Sequence, residues 1–143
     1  MLQDFCTLIL ILPYRRIEME SKTIAIVGAS RDRRKFGNKA VRAYKEMGYF
    51  VYPVHPTEKE IEGERAYRSV GEIPDRVERV SFYVPPSVGL KVIDEVARKK
   101  GMKIVYLNPG AESRELIEKG EALGLEMKRL CSILAIGADP SRY

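Results

Sequence analysis

The chain has 143 residues, 45% of them hydrophobic and 31% charged, with a net charge of +5. That length leads one to expect one domain with a core of its own, rather than a chain that carries a second, separate catalytic domain. Two cysteines, Cys6 and Cys131, exclude a disulfide scaffold, and no sustained repeat supports a coiled coil, a collagen or a solenoid.

Phe5–Leu12 is an apolar run followed by Pro13, Tyr14, Arg15 and Arg16. It is too short to span a bilayer, and its charges lie on the wrong side for a secretory signal. Residues 1–20 are therefore read as an N-terminal extension, or as sequence ahead of a start at Met19, and residues 21–143 as the domain. The expected location is the cytoplasm, where lone thiols stay reduced.

Thr23–Val27 is continuously apolar, as expected of a parallel strand buried on both faces. It runs into Gly28-Ala29-Ser30. Phe36–Met47 follows with helical spacing, Ala40, Val41, Tyr44 and Met47 on one side and Gly48 at the C-terminal end. Phe50–Val54 reads as a second strand, stopped by Pro53 and Pro56. Residues 57–76 are mixed, with a short helical turn expected near Ser69–Glu72. Val77–Val84 is a third strand, ended by Pro85-Pro86. Ser87 is the expected cap of a helix to about Lys100, with Val88, Val92, Ile93 and Val96 as its buried stripe. Lys103–Leu107 is a fourth strand. Ser113 begins a helix with Leu116, Ile117 and Leu123 inward, closed by Gly124. Leu125–Leu130 is a fifth strand, and Cys131–Tyr143 an apolar then loop-like tail.

Strands alternating with helices imply a parallel sheet with right-handed crossovers. The expected fold is α/β: a doubly wound, Rossmann-like parallel sheet of about five strands with helices on both faces. Such sheets bind ligands beyond the C-terminal strand ends, where strand order reverses.

The loop after the first strand has glycine at Gly28 for a tight turn, then four cations and one anion over residues 31–35, a local charge of +3. The next helix starts at its far end, near Lys35–Gly37. Free amides at a helix N-terminus attract phosphate, and arginines add bidentate contacts. A nicotinamide dinucleotide site fits less well. Ser30 and Arg33 stand where the fingerprint wants its second and third glycines, and Pro53-Val54-His55-Pro56 occupies the place of the ribose-binding acid. The arginines leave NADP open.

His55 is the sole histidine, a wall residue or a structural one; no base or carboxylate partners it in the sequence, and neither cysteine has metal-ligand spacing. Tyr83 and Val88 offer apolar contacts around Val84-Pro85-Pro86. Asn108, at the end of the fourth strand, reads either as a hydrogen-bonding group deep in the crevice or as a plain turn residue. No zinc finger, aromatic stacking motif or long basic stripe points to nucleic acid, and no segment points to a membrane.

Five stretches in this order, Ile24–Ser30 (IAIVGAS), Lys35-Phe36-Gly37 (KFG), Gly48–Pro56 (GYFVYPVHP), Tyr83–Ser87 (YVPPS) and Leu107–Ser113 (LNPGAES), resemble the CoA-binding domain family. They are similar to its small stand-alone members and, less closely, to the N-terminal domain of the succinyl-CoA synthetase α subunit. The resemblance runs from about Ser21 to Cys131. It implies bound coenzyme A or acyl-CoA. The phosphates would meet Gly28, Ala29, Ser30, Arg34, Lys35, Phe36 and Gly37. Val54, His55 and Pro56 would line the adenosine side, and Val84, Pro85, Pro86 and Val88 the nucleotide or pantetheine arm, with Asn108 deeper. Family members usually read Val-Asn-Pro where this chain has Val54-His55-Pro56.

In the ligase the phosphorylated histidine lies in a second domain, to which nothing in this sequence corresponds. The implied function is a coenzyme A binding module without acyl-CoA synthesis, working as a homo-oligomer or beside a partner subunit. An NADP-dependent or CoA-thioester enzyme is the alternative.

Overall fold

The computed structural model describes residues 22–143; the expectations for Phe5–Leu12, Cys6 and Met19 lie outside the described residues. Five strands form one parallel sheet: β1 (Thr23–Val27), β2 (Phe50–Val54), β5 (Arg79–Phe82), β6 (Ile104–Leu107) and β7 (Glu126–Arg129), in the order β2-β1-β5-β6-β7. From β1 the chain moves outward to β2, then returns to the other side of β1 to lay down β5. The strand order therefore reverses at β1.

Every residue of β1 is buried, as its unbroken apolar run requires. Alternate side chains feed two cores. Ile24 and Ile26 face α1 (Phe36–Glu46), through Ala40, Val41 and Tyr44, and also Ile133 of the short α4 (Ser132–Ala135). Ala25 and Val27 face the opposite layer, with Ile93 and Val96 of α2 (Pro86–Arg98) and Leu116 of α3 (Arg114–Ala122). Helices thus cover both faces, and the Rossmann-like α/β architecture stands. Among the described residues no helix is long and apolar enough to cross a membrane.

Some local details differ from the expectation. Pro53 lies inside β2 rather than stopping it. Its carbonyl accepts from Tyr67 N at 2.9 Å, and the N–H it lacks would point to that same outer side, so the ladder with β1 loses nothing. Residues 57–76 contain a small antiparallel hairpin, β3 (Glu60–Ile61) and β4 (Glu64–Arg65), with Glu62 at φ 50° and Gly63 at φ 79° in its turn. The helical turn expected near Ser69–Glu72 is a 3-10 turn at Val70–Glu72. Pro85, not Ser87, precedes α2, with Pro86 in the first turn, where a missing N–H costs nothing. Val88 and Met47 turn outward, at 38% and 47% exposure, and Leu123 is exposed as well. Gly89 takes a place in the α2 stripe: a Cβ there would lie 2.8 Å from Leu116 Cδ2, so its absence lets α2 close on α3. Ser113 does cap α3, its Oγ accepting from Leu116 N at 3.1 Å. The tail is not all loop: it holds α4 and a 3-10 turn at Pro140–Arg142.

Candidate functional site

At the point of strand reversal, the C-terminal ends of β1, β2, β5 and β6 open into a cleft of about 570 Å³. Its walls come from four loops: Gly28–Ser30 and Lys35–Gly37 after β1, His55 and Pro56 after β2, Tyr83–Pro85 after β5, and Pro109–Ala111 after β6.

The floor is backbone. Gly28 sits at φ +89°, and a Cβ on it would lie 2.6 Å from the carbonyl oxygen of Tyr83. A Cβ on Gly37 would collide with the carbonyl oxygen of Gly28. These two glycines bring the β1 turn, the β5 turn and the start of α1 into direct contact. Asn38, buried in the first turn of α1, fixes the loop further: its Nδ2 donates to Ser30 O at 2.8 Å and to Glu62 Oε2 at 3.3 Å. Arg42 closes the ring, donating to Asn38 Oδ1 and to Arg33 O, each at 2.7 Å.

α1 starts at this loop with no side-chain cap on Lys35 and no acidic residue in its first turn. Its leading amides carry the positive end of the helix dipole, undiminished by a carboxylate of its own. The cation count read from residues 31–35 changes in three dimensions. Arg31 pairs with Glu58 at 3.6 Å, Arg33 with Glu62 at 3.8 Å, and Arg34 with Asp32 at 3.0 Å. The hydrogen bonds from Arg34 hold the Asp32 carboxyl down at about 2. Lys35 has no ion pair among the described residues, and it lines the cleft. The local charge of +3 is thus largely met by Glu58 and Glu62, and one uncommitted cation faces the cavity.

His55 does two things. It lines the cleft, and its Nδ1 accepts from Thr57 N at 3.1 Å and Glu58 N at 3.0 Å. An Nδ1 that accepts from two backbone amides is not free to act as a base.

Under the far wall lies a buried polar network. Tyr83 OH is 2.9 Å from Ser132 Oγ, which is 2.7 Å from Ser81 Oγ. Asn108 donates to Ser81 Oγ at 2.7 Å and Phe82 O at 2.8 Å, and accepts from Ser132 N at 2.8 Å. Burial pushes the Tyr83 phenol up to about 12. This network ties the β5 and β6 loops to α4.

Of the residues singled out by sequence, Gly28, Ala29, Ser30, Lys35, Phe36, Gly37, His55, Pro56, Val84 and Pro85 line one cavity. Five do not. Val54 is buried behind the wall, Arg34 faces Asp32, Pro86 begins α2, Val88 is exposed, and Asn108 spends its amide on the network below. Pro109, Gly110 and Ala111 line the cleft without having been singled out, although the Asn-Pro-Gly turn after the fourth strand was the signal for them. Among the described residues no cluster of His, Cys, Asp and Glu suits a metal.

The profile of the CoA binding domain family matches residues 22–137, nearly all of the described chain. The chain belongs to the CoA binding domain family. A stretch of 114 residues is 34% identical to the acetate–CoA ligase (ADP-forming) II subunit alpha of Pyrococcus furiosus, covering 73% of this chain and 25% of that one. The chain thus spans about a quarter of that relative's length. Among solved structures, a conserved hypothetical protein from Pyrococcus furiosus superposes with a TM-score of 0.72 at 38% identity, over 80% of this chain and 98% of that one. The dinucleotide-forming acetyl-coenzyme A synthetase 1 of Ca. Korarchaeum cryptofilum, in complex with phosphate and ADP, matches with a TM-score of 0.66 at 30% identity, over 76% of this chain and 25% of that one. Within the CoA binding domain family, the five motifs of this chain fall on the strand-end loops that build the cleft, with the departure at His55.

Proposed function

We propose that this CoA binding domain holds coenzyme A, free or acylated, in the cleft at the strand reversal, as a binding module and not as an enzyme. The observation that carries the reading is Lys35. It is a cation with no ion pair among the described residues, at the uncapped start of α1, above a floor where Gly28 and Gly37 let backbone come close. A pyrophosphate suits that place, because it meets amide hydrogens, the helix dipole and an ammonium together. The apolar and proline-rich wall of Val84, Pro85 and Pro109 suits the mildly polar pantetheine arm. Gly28, Ala29, Ser30, Lys35, Phe36 and Gly37 would hold the phosphates, and His55 with Pro56 would flank the adenosine. The binding-module reading is supported by His55, whose Nδ1 is already engaged by two backbone amides. The ligase relative is an alpha subunit, which supports a role beside a second polypeptide.

The test is native mass spectrometry of freshly purified protein, followed by calorimetric titration with coenzyme A and acetyl-CoA. A co-purified mass of the coenzyme or a saturable heat is the expected result. Absence of both overturns the reading. Turnover of NADPH or of a CoA thioester by pure protein would replace it with the enzymatic alternative.

A further inference from the structure

Resting on the coenzyme A reading, we infer that Arg31 reads the 3′-phosphate on the ligand's ribose, and that Glu58 is the stand-in anion which that phosphate displaces. In doubly wound dinucleotide-binding folds the ribose lies at the C-terminal end of β2, and an arginine nearby accommodates its 2′-phosphate; a 3′-phosphate stands on the neighbouring carbon of the same ring. Here that place is spanned by one ion pair. Arg31 is the residue after Ser30 of the phosphate-binding turn, and Glu58 comes two residues after Pro56 of the β2 loop. The pair bridges the two loops just beyond the residues that line the cleft.

The three ion pairs of the loop differ in how easily they exchange. Glu62 is tied twice, to Arg33 and to buried Asn38, and Arg33 lends its carbonyl to Arg42. Arg34 and Asp32 are locked by a backbone bond and two side-chain bonds within one short turn. Arg31 and Glu58 share a single contact at 3.6 Å, with side chains 70% and 34% exposed. Exposed pairs of that kind are held weakly. A phosphate dianion offers the guanidinium two oxygens and more charge than a carboxylate. The exchange needs no loop movement. Both amides at Thr57 and Glu58 are pinned by His55 Nδ1, so only the Glu58 side chain swings away.

The pair therefore sets specificity. A nucleotide with a phosphorylated ribose gains Arg31; one without it leaves the pair in place. Calorimetric titration of wild type, Arg31→Ala and Glu58→Gln with coenzyme A and 3′-dephospho-coenzyme A tests this. Wild type is expected to favour coenzyme A by about tenfold or more, as one charge-assisted contact supplies. Arg31→Ala should abolish the difference by weakening coenzyme A alone, and Glu58→Gln should widen it by strengthening coenzyme A alone. Equal binding of both ligands to wild type overturns the inference and leaves the coenzyme A reading standing. So does an Arg31→Ala variant that weakens both equally, or a Glu58→Gln variant with an unchanged ratio. Binding of neither ligand overturns both.

Discussion

Gly37 sits so close to the carbonyl oxygen of Gly28 that any Cβ at position 37 would overlap it. The first turn of α1 and the end of β1 meet there through backbone alone. Gly37→Ala should therefore destabilise the fold even though alanine is the better helix former. The propensity gain is at most about 1 kcal/mol, and forcing a methyl against fixed backbone costs about 1–3 kcal/mol. The expected outcome is a net loss of up to about 2 kcal/mol in urea unfolding, with at least tenfold weaker coenzyme A binding, because the turn must shift. Gly48→Ala is the contrast. Unlike Gly37, which is helical, Gly48 is left-handed at φ +85°, and a Cβ there meets nothing within 4 Å. It should cost about 1 kcal/mol through backbone strain alone and leave the affinity unchanged. Equal effects on binding would show that the close approach at Gly37 has no part in the site.

Lys35 and Arg34 are neighbours in sequence with opposite commitments. Arg34 is held by Asp32, whereas Lys35 faces the cavity. Lys35→Ala should weaken coenzyme A binding about tenfold at low salt, the worth of one charged contact. The loss should shrink as salt rises, because screening has already removed part of what the ammonium contributes. Arg34→Ala should change the affinity far less. If the two variants lose affinity alike, the phosphates do not meet Lys35.

The five strands and their loops were legible because apolar runs such as Thr23–Val27 alternate with helical stripes and end in glycine or proline. That pattern was enough to place Gly28, Lys35, His55 and Val84 around one cavity. What stayed hidden depends on partners distant in sequence. The charge over residues 31–35 looked uncompensated, because Glu58 and Glu62 reach it from beyond β2. The β3–β4 hairpin has strands of two residues, too short for any period to register. Pro53 reads as a strand stop unless the side to which its nitrogen points is known. Asn108 at a strand end has two plausible directions in sequence, and only the fold shows Ser132 and Ser81 waiting beneath it.

Asn108 joins three groups, and its loss leaves the Ser132 amide without the acceptor it has in the fold. Asn108→Ala should cost about 2–3 kcal/mol in chemical denaturation, the typical penalty for an orphaned buried donor together with the small void. Asn108→Asp keeps the acceptor for Ser132 N but turns a second oxygen toward Phe82 O and Ser81 Oγ. It should be worse than alanine at neutral pH and recover in acid, as the carboxyl takes up a proton and regains a donor. An aspartate variant as stable as wild type would show that the amide's donor side carries no weight.

Alkali should unfold the protein from its tyrosines. Burial is the first cause raising the Tyr44, Tyr52 and Tyr83 phenols, with Tyr83 pushed up to about 12. A group whose folded value lies above its unfolded one binds its proton more tightly in the fold. Its contribution is complete below about pH 10 and is lost as pH rises toward 12. For Tyr83 this amounts to something on the order of 2 kcal/mol. Stability measured by denaturant should fall steeply across that window, in step with tyrosinate absorbance. In Tyr83→Phe the fall should be smaller by about that amount, whatever the variant costs at neutral pH. An unchanged alkaline slope would mean that Tyr83 ionises without first unfolding.

His55 Nδ1 accepts the amides of Thr57 and Glu58, the task that an asparagine Oδ1 performs in an Asx turn. The two acceptors stand at similar reach from the backbone, so His55→Asn should keep the turn. His55→Ala removes the acceptor and leaves both amides to water, at a cost of about 1 kcal/mol. Hydrogen exchange separates these cases residue by residue. The Thr57 and Glu58 amides should exchange much faster in the alanine variant and near the wild-type rate in the asparagine variant. Because Glu58 rides on this turn, the alanine variant should also blur the discrimination between coenzyme A and its 3′-dephospho form, while asparagine preserves it. Protected amides in the alanine variant would show that Pro56 alone holds the turn, and the imidazole would then be free to serve the ligand with both nitrogens.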